Sequence, residues 1–543
     1  MRLSYFSGVA AAALIAGSAP AQQAPAPAPE FSAERVKAHV AFLADDLLEG
    51  RDAGTRGYDI AARYVATQFQ ALGLQPAGAN GSWYQNVPFR QNRFGKANAR
   101  LAIAGTTFEN GKDIIIAPGG PEPRQAIDAE IVFVGYGLQA PELGIDDYKG
   151  LDVRGKVVAI LSGFPKGMAS DIGAHLASQK AKVAQANGAV GTLAILTPTA
   201  LNVFPWERRA AYAAVPTLNW LTADGRPYSD SPDLKFGAAL NAPASEALFR
   251  GARRPLAEVI AEAEREGGKP KGFALAQKLR FERESVGTRF ESANVVAFLP
   301  GSDPALKDEY VLVMGHLDHD GVDPNLPGED KIYNGALDNA AGIATLLEAA
   351  RALAASPNRP RRSILFAAVT AEEDGLLGAQ YLARNPLPGR KVIGVVNLDM
   401  PILTYDFEDV IAFGAEHSTL GPIVERASAR DRVTLTPDPY PAQGLFTRSD
   451  HYEFVKVGIP SVALATGIKG PGKQATEAFL ASHYHRVSDQ IDLPIRWDAA
   501  AKFARINYLI AREIADSPEA PRWYSDSFFG SIFAPDREKA KRP

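Results

Sequence analysis

Histidine and acidic side chains recur in five short segments in the second half of the sequence: residues 315–319, 333–339, 370–374, 397–400 and 482–489. Histidine, aspartate and glutamate together suit Zn²⁺ or a similar divalent ion. Because the sequence contains no cysteine, any metal would be held by these three residue types. The segments offer more ligands than one tetrahedral ion takes, so two ions that share a carboxylate are the natural prediction.

Two adjacent acidic residues, Glu372 and Glu373, follow an apolar run. In an extended backbone, successive side chains point to opposite sides. The two carboxylates are therefore predicted to have different tasks, one binding a metal and the other facing the substrate as a base.

Apolar runs of strand length position these segments. Residues 311–314, 364–369, 392–398 and 460–464 are predicted strands, and residues 340–355 are a predicted helix with one apolar face. This alternation predicts an α/β fold with an open, mostly parallel sheet flanked by helices. Ligands of such sheets bind at the carboxyl ends of the strands, and the predicted strand ends bring histidines and carboxylates to that edge.

The chain is predicted to divide into several units, because 543 residues exceed one ordinary domain. Short β-like runs between Gly/Pro turns, without a metal-type cluster, predict an inserted smaller β-rich domain over residues 113–285. The remaining predicted units are a signal peptide (1–21), a Pro/Ala spacer (22–30), the N-terminal part of the metal-binding domain (31–112), the rest of that domain (286–515) and a C-terminal tail (516–543).

The first residues predict export. A positive start at residues 1–2 precedes an apolar, Ala-rich run over residues 6–17, and the A-P-A sequence at 19–21 offers a cleavage site before Gln22. The apolar run is short for a bilayer span. These features predict a periplasmic or secreted mature protein without a membrane span.

Composition excludes several classes of protein. Hydrophobic residues make up 46% and charged residues 22% of the sequence, which is typical of a soluble globular protein rather than a disordered or polytopic membrane chain. The formal net charge of −4 argues against a nucleic-acid partner. The absence of cysteine excludes disulfides and thiol nucleophiles.

The chain resembles the co-catalytic zinc aminopeptidase and glutamate carboxypeptidase family, metallopeptidase family 28. The resemblance rests on five motifs in order: H-x-D at 316–318, D-N-x-x-G at 338–342, T-A-E-E-x-G-L-x-G at 370–378, N-x-D-M at 397–400 and Y-H-x-x-S-D at 484–489. Residues 49–57 resemble the N-terminal part of exported bacterial members, and the middle segment resembles the protease-associated domain that some members insert.

The resemblance implies a ligand set for two zinc ions per chain. His316 and Asp399 would bind one ion, Glu373 and His485 would bind the other, and Asp338 would bridge both. The peptide bond after the bridging aspartate lies where relatives often hold a cis bond.

The resemblance also implies the catalytic groups. Glu372 would be the general base and acid, and Tyr484 would donate to the tetrahedral oxyanion. Asp318 would stand behind His316 and fix its tautomer through its carboxylate.

Other polar residues lie beside the motifs. His319 and His483 are predicted to line the pocket, with His483 the one rival of His485 as a ligand. For Asp450 and His451, a supporting contact to the ligands and a structural turn are equally compatible with the sequence. The histidines outside the motifs are predicted to be ordinary surface or core residues: His39, His175 and His417.

Together these features predict an exported two-zinc exopeptidase with a peptide substrate, in which a metal-bridged water attacks the scissile carbonyl and Glu372 moves its proton. An aminopeptidase is favoured because the acid-rich loops 320–330 and 406–409 could hold a substrate ammonium. Arg448, as a carboxylate clamp, would instead indicate a carboxypeptidase or dipeptidase. A glutaminyl-cyclase-like acyltransferase with one working zinc is a further alternative, and a non-catalytic binding protein is disfavoured because every ligand is present.

Overall fold

The computed structural model describes residues 29–96, 98–120, 122–211, 213 and 215–543. The predicted signal peptide, residues 1–21, and residues 22–28 of the predicted spacer lie outside the described residues. Across the described ranges, no helix combines the length and the apolar character needed to cross a bilayer.

Helices and strands are numbered in chain order. The helices are α1 (Ala33–Leu43), α2 (Arg56–Ala71), α3 (Ser170–Ser178), α4 (Lys180–Ala186), α5 (Pro198–Val203), α6 (Trp206–Ala211), α7 (Ala242–Leu248), α8 (Leu256–Ala263), α9 (Ala341–Ala355), α10 (Leu377–Arg384), α11 (Leu420–Ala429), α12 (His451–Val455), α13 (Gly472–Ser482), α14 (Trp497–Asp516) and α15 (Phe528–Phe533). The strands are β1 (Gln75–Pro76), β2 (Tyr84–Phe94), β3 (Arg100–Ile103), β4 (Thr106–Glu109), β5 (Ile114–Ile116), β6 (Arg124–Phe133), β7 (Gln139–Ala140), β8 (Ile145–Asp146), β9 (Val157–Leu161), β10 (Gly191–Ile195), β11 (Thr217–Trp220), β12 (Phe236–Leu240), β13 (Phe273–Leu299), β14 (Glu309–His316), β15 (Ser363–Val369), β16 (Lys391–Leu398), β17 (Asp409–Phe413), β18 (Thr434–Thr436) and β19 (Ser461–Thr466).

The main sheet has the strand order β11–β2–β13–β15–β14–β16–β19–β17–β18. Its central strands, β15, β14, β16 and β19, are parallel, with Val311 opposite Ile364 in the β14–β15 pair. Strand β13 runs antiparallel to β15, and β17 runs antiparallel to β19, so the sheet as a whole is mixed. The predicted α/β fold is confirmed, and the predicted parallel strands form the centre of the sheet.

Both faces of the central strands are buried, because helices cover each face. Val311 and Val313 of β14 pack into a core with residues of α1, α2, α9 and α14. Leu312 and Met314 pack on the other face, with Leu382 of α10 and with α12. Alternate side chains therefore enter different cores, which explains why these strands read as continuous apolar runs in the sequence.

A second sheet, with the order β4–β3–β13–β6–β9–β10–β12–β5, forms a unit with its own apolar core. It shares one strand with the main sheet. Strand β13 is 27 residues long. Its register places Phe281 opposite Leu101 in the second sheet, and Phe290 opposite Phe89 in the main sheet.

The core of the second unit begins earlier than residue 113, the start predicted from sequence. It includes Ala99, Leu101 and Phe108, since strands β3 and β4 pair with each other and with β13. This pairing joins residues far apart in the chain, and no local sequence pattern announces it. The identity of the unit as a protease-associated domain stays a prediction.

The C-terminal tail packs between α3 of the second unit and α12 of the main domain. Phe529 is fully buried, with its ring centroid 5.0 Å from that of Phe446 and 5.9 Å from that of His175. Trp523 is also buried, and its indole N–H donates to the carbonyl oxygen of Gly458 at 3.0 Å. The tail is therefore part of the packed structure.

Removal of the Phe529 ring tests this packing. Phe529→Ala is expected to lower the free energy of unfolding by about 3–5 kcal/mol, because it empties a fully buried aromatic site. Chemical denaturation followed by circular dichroism measures the change. Phe42→Ala is the matched control, since Phe42 is 38% exposed and should cost no more than about 1 kcal/mol. Equal destabilisation by the two variants would contradict the packing of the tail.

Candidate metal centre

The parallel strands bring the predicted ligands to one edge of the main sheet. His316 is the last residue of β14, and Asp399 directly follows β16. Glu372 and Glu373 lie beyond the end of β15, where Ala371 turns the chain with a φ of 53°. The carboxyl ends of neighbouring parallel strands lie side by side, so a few residues after each strand suffice to bring these side chains together.

All five predicted ligands converge. His316 Nε2 lies 3.1 Å from Asp399 Oδ1 and 3.3 Å from Asp338 Oδ1. His485 Nε2 lies 3.2 Å from Glu373 Oε2 and 3.5 Å from Asp338 Oδ2. The two oxygens of Asp338 thus face two different histidine–carboxylate pairs, which is the arrangement that a bridging ligand requires.

The donor set fits zinc. Nitrogen and oxygen donors on one tetrahedral Zn²⁺, each about 2.1 Å from it, are about 3.4 Å apart. The separations from His316 to its two partners, 3.1 and 3.3 Å, and those from His485, 3.2 and 3.5 Å, are close to this spacing. His316 would hold one ion together with Asp399, and His485 would hold the other together with Glu373.

Main-chain hydrogen bonds fix the position of Asp338. The N–H groups of Leu337 and Asp338 donate to the Asp489 carboxylate at 3.0 and 2.9 Å. The peptide bond from Asp338 to Asn339 is cis, and the Asn339 amide donates to the carbonyl oxygen of Leu398 at 2.9 Å. Asp489, the aspartate of the last motif, therefore positions Asp338.

Glu372 and Glu373 lie in a strongly acidic environment. Burial is the largest cause that raises the pKa of both carboxyl groups well above the ordinary value. The charges of Asp399 and Asp450 raise the pKa of Glu372 further, and that of Asp338 raises the pKa of Glu373. Crowded carboxylates of this kind call for a cation or a proton nearby.

The contact behind His316 corrects one predicted role. His316 Nδ1 lies 3.2 Å from the main-chain carbonyl oxygen of Asp318, so this carbonyl accepts the Nδ1 hydrogen and leaves Nε2 free for a metal. The Asp318 carboxylate instead accepts from the main-chain N–H of Glu373 at 3.2 Å. Asp318 therefore positions both neighbours, but its carboxylate does not contact the imidazole as predicted.

The two remaining histidines of the motifs differ in position. His319 is buried, and its Nδ1 lies 2.6 Å from Glu373 Oε1, so it contacts a predicted ligand directly. His483 Nδ1 lies 2.9 Å from the hydroxyl oxygen of Ser488, outside the ligand cluster. Of the two rivals, His485 is the one that joins the cluster.

Tyr484 lies beside the cluster, with its ring centroid 4.1 Å from that of His485. Burial, with the charges of Asp338 and Glu373, raises the pKa of the Tyr484 phenol far above its ordinary value. The phenol therefore keeps its proton at neutral pH and is able to donate it in a hydrogen bond. Its predicted role toward an oxyanion stays a prediction.

The sequence reasoning missed a serine that contacts a predicted ligand. The Ser449 hydroxyl donates to Asp399 Oδ2 and accepts from the side-chain amide of Asn397 at 2.7 Å. The next residues, Asp450 and His451, are fully buried behind it. The run of polar residues 448–451 ahead of a buried helix was the sequence feature that could have pointed to Ser449.

Arg51 was also missed. It is buried, and burial lowers its pKa to about 10. Its guanidinium donates to the carbonyl oxygens of Leu317 at 3.0 Å, Asn334 at 2.5 Å and Gly335 at 3.2 Å. One side chain from the 49–57 turn thus contacts both loops that carry His319 and Asp338. The turn-rich sequence of residues 49–57 was the feature that could have pointed to Arg51.

Ser449 provides a test of ligand positioning. Ser449→Ala is expected to weaken zinc binding by about 10–100-fold, because Asp399 loses the hydroxyl that orients it. Titration against a competing chelator measures the affinity. Ser302→Ala, in an exposed position ahead of β14, is the control and should leave the affinity unchanged. Unchanged affinity in Ser449→Ala would contradict the assigned contact.

Comparison with known proteins agrees with this geometry. Residues 294–511 match the family model Peptidase family M28. The chain is 40% identical over 108 residues to a "Probable zinc metalloprotease" of Pyrenophora teres f. teres, and 42% identical over 110 residues to one of Leptosphaeria maculans. These matches cover 20% of this chain and 22% and 24% of the relatives, so the matched region is less than a quarter of their length.

A solved structure shares the fold. The aminopeptidase from Aneurinibacillus sp. strain AM-1 aligns with a TM-score of 0.51 and 20% identity, over 90% of this chain and 95% of that one. The five converging side chains all lie within residues 294–511, the range that the family model matches. Residues 294–511 of this chain thus match the model of peptidase family M28, and the curated relatives that match part of the chain are probable zinc metalloproteases.

Proposed function

We propose that the chain is an exported exopeptidase that uses two Zn²⁺ ions to remove amino-terminal residues from peptides. The observation that carries the proposal is the position of Asp338, whose two oxygens face His316 on one side and His485 on the other. This geometry supports two ions. The close pair of Glu373 and His485, 3.2 Å apart, supports it over an acyltransferase that works with one.

The chain's own residues supply positioning and proton transfer. When bound, two Zn²⁺ ions would acidify a water molecule and polarise the scissile carbonyl. Glu372 accepts the proton of the attacking water and delivers it to the leaving amine. Tyr484 donates to the carbonyl oxygen as negative charge develops there.

The charge around the site supports an aminopeptidase. Asp320 Oδ2 lies 3.3 Å from His485 Nδ1, at the outer side of the ligand cluster. Asp52 lies nearby, and burial with the charges of Asp318 and Asp320 raises its pKa to about 6. A substrate ammonium bound here would relieve the repulsion among these acids.

Two acids of the second acid-rich loop, residues 406–409, contact other groups. Asp406 pairs with Lys502, and Asp409 is buried and accepts the main-chain N–H of Lys469 at 3.0 Å. These two acids therefore have partners of their own, and the contribution of residues 406–409 to an ammonium site stays a prediction. Arg448 is exposed, and its charge partly offsets the rise in the pKa of Tyr484, so it is the residue that would support a carboxypeptidase instead.

Export is proposed on the first residues of the sequence. Their positive start, apolar run and A-P-A site have the form of a signal peptide. Expression of the full chain in a bacterial host, followed by amino-terminal sequencing of the periplasmic fraction, tests the proposal. A mature protein that begins near Gln22 is expected.

The direction of attack is a separate prediction. The protein is expected to hydrolyse an unblocked amino-acid anilide at least about tenfold faster, in kcat/KM, than an amino-blocked dipeptide with a free carboxylate, because the surplus acid holds an ammonium. Asp320→Asn should reduce the rate on the anilide and have less effect on the blocked dipeptide. Preferential cleavage of the blocked dipeptide would reverse the assignment.

The two adjacent glutamates should respond differently to the same change. Glu372→Gln keeps the side-chain shape but accepts no proton, so activity is expected to fall by about 10²–10⁴-fold with near-normal zinc content. Glu373→Gln should instead lower the zinc content, because it removes a charged ligand. Metal analysis and the anilide assay on both variants measure this, each variant being the control for the other. The opposite pattern would exchange the roles.

A further inference from the structure

A second group of metal-type side chains lies outside the centre described above. Asp171 is in the first turn of α3, and Glu416 and His417 are in the short turn Ala415–His417 after β17. One donor atom of each residue lies within 4.8 Å of the others. The group joins the second unit to the main domain, since α3 belongs to one and β17 to the other.

The donor spacing is that of metal ligands. His417 Nε2 lies 3.5 Å from Asp171 Oδ2 and 3.6 Å from Glu416 Oε1. Nε2 is closed off from solvent and has no hydrogen-bond partner among the residues that the structure describes. Donors on one tetrahedral ion are about 3.4 Å apart, and the ligands of the M28 centre show separations of 3.1–3.5 Å. The nitrogen is therefore aimed at two carboxylates at the distance that a shared ion would set.

The imidazole is held in this direction by its surroundings. The ring centroid of His417 lies 4.9 Å from those of Phe446 and Phe529. The main-chain carbonyl oxygen of His417 accepts the N–H of Tyr524 at 3.0 Å. A donor fixed by packing before an ion arrives loses little freedom on binding.

The two carboxylates of the group face His417 but are not paired with a lysine or arginine side chain in the described part of the chain. The guanidinium of Arg542 donates to the main-chain carbonyl oxygen of Glu416 and pairs with Asp526. Burial, and to a smaller extent the charge of Asp171, raises the pKa of Glu416.

We propose that Asp171, Glu416 and His417 form a further metal site, which binds one divalent transition-metal ion such as Zn²⁺. One imidazole and two carboxylates are a donor set that zinc accepts, and a water completes a tetrahedron. The Glu416 side chain is 51% exposed, whereas that of His417 is 15% exposed, so the ion enters from the Glu416 side.

The consequence is a metal link between the two units. Its ligands come from elements more than 200 residues apart, so the complete site exists only while α3 is packed on the β17 turn. Binding to the packed state alone stabilises that state by mass action. The proposal does not depend on the proposed peptidase activity.

The test counts zinc in the full chain after chelator treatment, reloading and dialysis. The wild type is expected to hold one zinc per chain more than His417→Gln, whereas His39→Gln, a histidine outside both groups, should equal the wild type. This difference of one ion is independent of how many ions the M28 centre binds, so the site and the proposed function fail separately. Equal counts in the wild type and His417→Gln would overturn the proposal.

A second variant covers the case in which His417→Gln folds poorly. Glu416→Gln alters a half-exposed side chain, and it should weaken the binding of one ion at least about tenfold. In an Asp338→Asn background, zinc should raise the melting temperature of the chain by about 5 °C or more, and Glu416→Gln should make this rise smaller at the same zinc concentration. An unchanged affinity, or a rise of the same size in Glu416→Gln, would show that a shared proton rather than a metal joins the carboxylates.

Discussion

Repulsion among buried carboxylates is the constraint on which the metal centre depends. Asp338, Glu372, Glu373 and Asp399 converge at one sheet edge, with Asp450 behind them, and burial raises the pKa of several of these groups. A carboxylate removed from water is costly unless a donor or a cation faces it. Main-chain N–H groups and hydroxyl groups donate hydrogen bonds to some of these carboxylates. The negative charge that remains uncompensated would attract cations to the solvent-facing side of the cluster.

The hydrogen-bonding side chains that position the predicted ligands come from distant parts of the chain. Arg51 precedes the first strand, Ser449 follows β18, and Asp489 follows α13, yet each contacts a ligand or the loop that carries one. The centre is thus assembled by the tertiary structure of the main domain, and a loss of packing far from the ligands reaches the site through these contacts.

Sequence predicted the central strands and the convergence of the candidate ligands at one sheet edge, for one physical reason. Parallel strands end at one edge, so His316 and Asp399 could be placed together from local patterns alone. Contacts over long separations were not accessible: the pairing of β3 with β13 moved the start of the second unit to Ala99, and Arg51 reaches Asn334 across 283 positions. Side-chain direction was equally hidden, since nothing in H-x-D distinguishes a carboxylate of Asp318 from its carbonyl.

The continuous strand β13 has a consequence for exchanging parts between relatives. A unit attached by two loops can be excised by cutting both, but here one strand continues from the second sheet into the main sheet, where it covers the edge of β15. Excision at residue 285 would leave β13 without half its length. A displaced β13 would expose the main-chain groups of β15, a template for intermolecular pairing. Chimaeras therefore need a junction that preserves the register from Ser285 to Leu299.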